Sequence, residues 1–207
     1  MKTSPLDLSE QGTVATLSED GYSYRSVVCG GHEMRRGRHY ATFTLRCLRQ
    51  FALLGVVNAS LQPTVGDGAD MSHSSQGWVL ATFNGALYHA DCRSQWAGQP
   101  RFDELKDGDV VVWLAPSPRH AVPTLPPPHC AGCVVQGLLL DLDAATLTVW
   151  VNGERKGVML RPGMVQPGMT NIYQAQPVGR LEGPLRWAVD MGYGSSVAIG
   201  GPLPLPE

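Results

Sequence analysis

The stretch from Gly137 to Val158, GLLLDLDAATLTVWVNGERKGV, constrains the fold more than any other part of the chain. Residues 138–142 form a run that is apolar except for Asp141. Residues 146–151 then alternate between two faces, which is the pattern of a half-buried strand. The first face carries Leu147, Val149 and Val151, and the second carries Thr146, Thr148 and Trp150. Asn152-Gly153 follows and favours a tight turn with positive φ at both central residues. This stretch predicts antiparallel strands in the core.

The rest of the chain repeats this pattern of short alternating runs between turn residues. The 207 residues include 24 glycines and 16 prolines, which are too many for a helical protein. Roughly ten to thirteen short strands with turn signals at close spacing predict one all-β domain, a β-sandwich. On the core side of its strands we place Trp78, Leu147, Val149, Val151 and Trp187. Trp150 falls on the other face, where it is either covered by a flanking segment or open to a partner.

The sequence predicts three segments. Residues 1–13 are polar and aperiodic, and form a leader or an edge segment; residues 14–201 form the sandwich; residues 202–207, PLPLPE, form a tail. A proline-rich insert at about residues 115–132 interrupts the sandwich. Its PxxP spacing would suit a polyproline ligand, but its composition favours a stiff surface loop.

The charge and the cysteine content indicate the compartment of the protein and the kinds of partner that it does not bind. The net charge of −2 argues against a surface for nucleic acid or an anionic membrane. No apolar run approaches ~18 residues, and the first residues lack the apolar core of a signal peptide. Five cysteines are an odd number in a chain too large to need disulfides. We expect a cytoplasmic protein in a reducing compartment, with no membrane partner.

Catalytic and metal motifs are incomplete, so we expect neither an enzyme nor a cofactor. The sequence has no G-x-S-x-G elbow, and Gly192–Val197 lacks the third glycine of a dinucleotide loop. Cys130 and Cys133 with His129 form half of a possible zinc site. Cys29 and His32 could form another half, but nothing in the sequence brings the two pairs together. Free cysteines are the preferred interpretation.

The order of six motifs resembles the SPRY domain, also called B30.2 in its extended form. The resemblance rests on LSEDGYSYRSV with GRHYATFTL (17–27 and 37–45), FALLGVVNA (51–59), GWVLATFNGALYH (77–89), LKDGDVVVWL (105–114), LLLDLDAATLTVWVNGERKGV (138–158) and LRWAVDMGYGSSVAI (185–199). The family usually passes directly from the fourth motif to the fifth, whereas here the proline-rich insert separates them. The resemblance implies a bent antiparallel β-sandwich of the concanavalin-like jelly-roll type.

The resemblance also implies a non-catalytic protein-interaction module that binds a short peptide or a loop of a partner. Such domains serve as substrate receptors or scaffolds in ubiquitin-ligase and signalling assemblies. Arginines and aromatic residues in loops dominate interface energetics. By the family's binding loops, the candidate partner-binding residues are Arg35, Arg36, Arg38, Arg49, Gln50, Met71, His73, Trp96 and Tyr193.

Three arginines in one loop favour an acidic or phosphorylated partner segment. Two alternatives stay open. The chain could be a structural subunit of a large complex, which would bind no free peptide. It could also be a lectin-like carbohydrate-binding domain, in which Asn58, Asp67 and Asp70 are the candidate calcium ligands. By itself the chain is expected to be monomeric.

Overall fold

The computed structural model describes residues 6–18, 24–48, 51–62, 71–100, 134–166 and 176–200. These residues form fifteen strands and one short 3₁₀ turn at Glu10–Gly12. Within them, no helix has the length and apolar character needed to cross a bilayer. The predicted all-β antiparallel sandwich is confirmed.

Two antiparallel sheets face each other across the core. The first sheet has seven strands, in spatial order β1 (Leu6–Ser9), β2 (Val14–Leu17), β15 (Ser196–Gly200), β4 (Arg38–Cys47), β9 (Val134–Asp141), β10 (Thr146–Val151) and β11 (Glu154–Leu160). The second has six, in the order β3 (Arg25–Val28), β14 (Leu185–Met191), β5 (Ala52–Asn58), β6 (Gly77–Ala81), β7 (Leu87–His89) and β8 (Cys92–Ser94). A two-stranded ribbon, β12 (Val165–Gln166) with β13 (Gln176–Pro177), lies outside both sheets.

Alternation along the strands fills the space between the sheets. In β4, Ala41, Phe43 and Leu45 are buried, while the residues between them are half-buried on the outer face. Phe43 meets Trp187 of the second sheet edge-to-face, with ring centroids 6.0 Å apart. The core tryptophans and the inward residues of β10 are buried as predicted. A second, smaller cluster covers the outer face of the second sheet.

Residues 137–158 form antiparallel core strands, as predicted. β10 spans Thr146–Val151, and it lies between β9 and β11 in the first sheet. Asn152 and Gly153 have φ values of +50° and +81°, as the tight turn requires. This turn pairs Val151 with Glu154, and two register shifts follow further along the β10–β11 hairpin.

Trp150 is covered and is not an open partner site. Its side chain is 7% exposed, on the outer face of the first sheet. Tyr40 lies edge-to-face against it at 5.9 Å, and the Arg155 guanidinium lies 5.9 Å from its ring centroid. Gly137 pairs with Trp150 across the ladder, and a Cβ there would come 3.0 Å from Tyr40 Cε2. The absence of a side chain at Gly137 lets Tyr40 lie close to Trp150. Burial raises the pKa of Tyr40.

Three structural details go beyond the sequence expectations. β1 pairs with β2 at the edge of the first sheet, so the sheet includes residues 6–9 of the segment expected to be a leader or an edge segment. β8 and the β12–β13 ribbon lie in stretches expected to be loops. These strands are two to four residues long, too short to show a period. The expected strand at 109–114 and the proline-rich insert lie outside the described residues.

Candidate functional site

Three segments meet at one end of the sandwich, which we call the arginine end: residues 29–37, 142–145 and 178–184. Met34 and Leu185 exchange two backbone hydrogen bonds of 2.8 and 2.9 Å. The backbone N–H of Leu142 donates to the carbonyl oxygen of Gly37 at 3.0 Å. The first segment is therefore fixed to both sheets.

Two residues shape the loop that carries the predicted arginines. Met34 is fully buried and anchors the loop in the core. Gly37 has a φ of +77°, a conformation that side chains rarely adopt, and its N–H donates to Asp143 Oδ1 at 3.2 Å. The loop thus leaves Arg35, Arg36 and Arg38 at the surface on a fixed backbone.

Glu33 binds two arginines at this end. Arg35 Nη2 lies 2.6 Å from Glu33 Oε2, and Arg186 Nη2 lies 2.9 Å from Glu33 Oε1. The hydrogen bond from Arg186, assisted by the charge of Arg35, lowers the pKa of Glu33. Both guanidinium charges are partly balanced before any partner arrives.

Arg38 is also paired. Its Nε lies 2.7 Å from Asp141 Oδ2, at the point where β9 ends. Asp141 accepts a further hydrogen bond of 2.9 Å from the Ala144 backbone N–H. That bond, followed by the one from Arg38, lowers the pKa of Asp141. Arg38 therefore stabilises the β9–β10 turn rather than offering a free charge.

Arg36 differs from its two neighbours. It is exposed, and within the described part of the chain its guanidinium makes no hydrogen bond or ion pair. Its carbonyl oxygen accepts a hydrogen bond of 2.9 Å from His39 Nε2, and the His32 ring lies 5.4 Å from the His39 ring. Arg36 is thus a free cation beside two imidazoles, on a backbone that is held in place.

A small cleft lies at the same end. It has a volume of about 90 Å³, and its walls include Ala145 of the β9–β10 turn, Leu160, and Leu181. Arg161 and Arg180 also line it, and both are exposed. Arg180 lies 3.6 Å from Glu182, whereas the Arg161 guanidinium has no ion pair within the described residues. The cleft offers an apolar wall beside a second free cation.

A buried histidine fixes the third segment of the arginine end. His89 stacks on Trp78 with ring centroids 4.9 Å apart, and its Nδ1 donates to the Gly77 carbonyl oxygen at 2.7 Å. Its Nε2 accepts from the Gly179 N–H at 3.2 Å, while Trp78 Nε1 donates to the Gly179 carbonyl oxygen at 2.9 Å. The neutral imidazole thus makes a hydrogen bond through each of its two ring nitrogens. Burial lowers the pKa of His89, partly offset by the bond to Gly77.

We expect the protein to lose stability as the pH falls from 7.5 to 5.5. The unfolded chain binds a proton at His89 more readily than the folded chain, so stability is full above about pH 6.5 and declines below it. One such group changes the free energy of unfolding by at most about 1.4 kcal/mol per pH unit. Urea unfolding at several pH values measures the slope. His89→Gln should flatten it. An equal slope in His89→Gln and in wild type would refute this role of His89.

His73 borders the arginine end. It is exposed, and its Nε2 lies 3.3 Å from Asp91 Oδ1. Its loop is tied to the end of β5 by a hydrogen bond from Asn58 N to Gln76 O, and the next residue, Ala59, donates to Pro184 O. The structure thus brings together three predicted residues, Arg35, Arg36 and Arg38, and places His73 on a separate loop beside Asp91.

Met71, a predicted partner-binding residue, is buried in this structure. Its side chain is 1% exposed and packs on the outer face of the second sheet. Its backbone N–H donates to Asp190 Oδ2 at 2.6 Å. Met71 covers apolar strand residues that would otherwise be open to water, so it anchors the long loop.

Trp96 and Tyr193 lie away from the arginine end. Tyr193 follows Met191, the far end of β14 from Leu185, about 20 Å away by the length of a seven-residue strand. Trp96 is half-buried and donates through Nε1 to the Gly85 carbonyl oxygen at 2.9 Å, in the β6–β7 turn. An extended peptide would need about six residues to span that distance. Arg49 and Gln50 lie outside the described residues.

A strip of four aromatic side chains was not predicted. Tyr24, Phe51, Phe83 and Tyr88 follow one another at centroid distances of 5.1, 5.8 and 5.8 Å. Tyr24 and Phe83 are 39% and 38% exposed. The four residues come from three separate segments, around residues 24, 51 and 83–88, so sequence spacing gives little sign that all four meet. This aromatic strip is the main rival to the arginine end as a contact surface.

The zinc-site and lectin alternatives both require side chains that could hold a metal ion. Within the described residues, no group of three or more His, Cys, Asp or Glu side chains is arranged to hold a metal ion. His129, Cys130, Cys133, Asp67 and Asp70 lie outside those residues. Asn58 Oδ1 accepts hydrogen bonds from both the N–H and the hydroxyl of Ser60, as in a local turn.

Comparison with known proteins identifies the fold. No family model matches the chain, and no curated protein matches its sequence. The SPRY domain of human HERC1 superposes with a TM-score of 0.56 at 13% identity, over 98% of this chain and 96% of that one. The TRIM65 PSpry domain gives a TM-score of 0.52 at 15% identity, over 95% and 84%. The chain is a two-sheet β-sandwich, and its fold is that of a SPRY domain.

Proposed function

We propose that this chain is a non-catalytic protein-interaction module that binds an extended acidic segment of a partner at the arginine end. The observation that carries the proposal is Arg36, an exposed cation with a free guanidinium on a loop tied to both sheets. A guanidinium binds carboxylates and phosphates through paired, charge-assisted hydrogen bonds. Because the loop is already ordered, binding loses little conformational entropy.

The neighbouring groups support the same partner chemistry. Arg35, Arg38 and Arg186 are paired with Glu33 and Asp141, so Arg36 is the residue of this loop whose positive charge is left for an acidic segment. Those carboxylates, Glu33 and Asp141, are held by hydrogen bonds and have lowered pKa values, which do not suit a general acid. The thiols of Cys29 and Cys92 are not in disulfides, which fits the reducing, cytoplasmic setting that we propose.

Peptide display on the purified protein tests the proposal. We expect selected peptides to be enriched in Asp and Glu. Arg36→Glu should weaken their binding by about tenfold or more, since a charge-assisted hydrogen bond contributes about 1.5–3 kcal/mol. Arg93→Glu is the matched control, because Arg93 is also exposed but lies on β8.

Two outcomes would contradict the proposal that the arginine end binds an acidic segment. If the selected peptides are apolar and Phe83→Ser abolishes their binding, the aromatic strip is the contact surface. If no peptide is selected at all, the arginine end is not a peptide receptor, as expected for a purely structural subunit.

A further inference from the structure

A cavity of about 150 Å³ lies between the two sheets at the side where the second sheet ends. Its walls come from β2, β4 and β15 of the first sheet and from β3 and β14 of the second. The deeper wall residues include Ala15, Val27, Phe43, Val189 and Val197. Leu8, which is 52% exposed, also lines it. We call this space the edge cavity.

The topology explains the cavity. β3 is the last strand of the second sheet, whereas the first sheet continues past β15 to β2 and β1. Strands β1 and β2 therefore extend beyond the edge of the facing sheet. The residues there are small, with Ala15 on one side and Gly30 on the other. Small side chains leave space that larger ones would fill.

The chemistry of the wall selects the ligand. None of the residues that line the edge cavity carries a formal charge, and Thr13 and Cys29 are its polar side chains. Burial raises the pKa of Cys29, so its thiol stays neutral near pH 7. A cavity of about 150 Å³ is large enough for a molecule such as benzene.

We propose that the edge cavity is a binding site for a small uncharged apolar molecule, about the size of one benzene ring. The site is separate from the arginine end. Phe43 and the valines supply dispersion contacts, and the neutral Cys29 thiol supplies a polarizable one. A charged ligand would lose its hydration in the cavity, and no charged residue on the wall would compensate for that loss.

Benzene, with benzoate as a charged probe of the same ring, tests the site. Titration followed by methyl NMR should shift the methyl signals of Val27, Val197 and Ile199, which line the cavity, and benzoate should not. Ala15→Leu places three more carbons in the space and should weaken benzene binding at least about tenfold. Ala198→Leu is the control, because Ala198 is on the neighbouring strand and does not line the cavity.

A second measurement does not depend on how the variants fold. In the wild-type protein, benzene should slow the alkylation of Cys29 by iodoacetamide at least about threefold, as quantified by peptide mass spectrometry. Alkylation of Cys47, which lies outside the cavity, should be unchanged. The proposal is overturned if benzene up to its solubility limit leaves the Cys29 rate and the three methyl signals unchanged. It is also overturned if a folded Ala15→Leu variant binds benzene as tightly as wild type.

Discussion

Replacing Gly55 with alanine is expected to destabilise the folded protein by roughly 3 kcal/mol. Gly55 lies in the middle of β5, which pairs with β14 on one side and β6 on the other. A Cβ at this position would come 2.9 Å from Val79 Cα, and closer still to the carbonyl oxygen of Trp78. Both neighbours are backbone atoms of an adjacent strand, so a change of rotamer cannot relieve the clash. The central strands of the second sheet would have to separate.

Urea unfolding measures this effect against a matched glycine. A Cβ at Gly31 has nothing within 4 Å, and Gly31 does not have positive φ. Gly31→Ala should therefore leave the midpoint within a few tenths of a molar of wild type, while Gly55→Ala lowers it strongly or prevents folding. Similar midpoints for both variants would show that β5 and β6 are not packed as closely as described.

The second large effect is expected for Asp190→Ala, with a loss of about 3 kcal/mol. Asp190 is 1% exposed, on β14. Its carboxylate accepts a short hydrogen bond from the Ser26 hydroxyl and one of 2.6 Å from the Met71 backbone N–H. Removing the carboxylate takes this acceptor from the buried Met71 N–H and from the half-buried Ser26 hydroxyl. It also releases Met71, which covers the outer face of the second sheet.

Hydrogen exchange distinguishes this mechanism from general destabilisation. The Met71 amide should exchange much faster in Asp190→Ala than in wild type, even under conditions where the core strands stay protected. Asp7→Ala, at an exposed position on β1, should behave as wild type in both stability and exchange. If the Met71 amide keeps its protection in Asp190→Ala, the carboxylate does not anchor the loop.

Much of the fold could be predicted because local patterns encode it. Alternation in β4 and β10 gave their inward faces, and Asn152-Gly153 gave the turn between β10 and β11. The short β8 escaped prediction because three residues show no period. The status of Trp150 could not be decided, because its cover comes from Tyr40, which is more than one hundred residues away in sequence.

The candidate site was predictable in part. The arginine cluster at 35–38 was visible as a charge pattern, and it does lie in an exposed loop. Which arginine stays free was not visible, since the ion pairs use Glu33, Asp141 and the sheet register that places them. The burial of Met71 was not predicted, because a loop position usually means exposure, whereas this loop folds back on an apolar sheet face.

The strand pairing also places apart residues that the family resemblance had assigned to one binding surface. Tyr193 and Arg36 belong to opposite ends of the strands, as the pairing of β14 with β3 and the bridge between Met34 and Leu185 define. In an antiparallel sheet, successive turns alternate between the two ends. A list of loop residues therefore mixes two surfaces until the strand pairing is known.

The most direct test of the central claim is calorimetric binding of one display-selected acidic peptide to three proteins: wild type, Arg36→Glu and Arg93→Glu. The interaction-module assignment predicts that Arg36→Glu weakens the affinity by about tenfold or more, while Arg93→Glu binds within about twofold of wild type. Equal losses in the two variants would indicate a nonspecific charge effect. Unchanged affinity in Arg36→Glu would contradict the claim that the arginine end is the binding site.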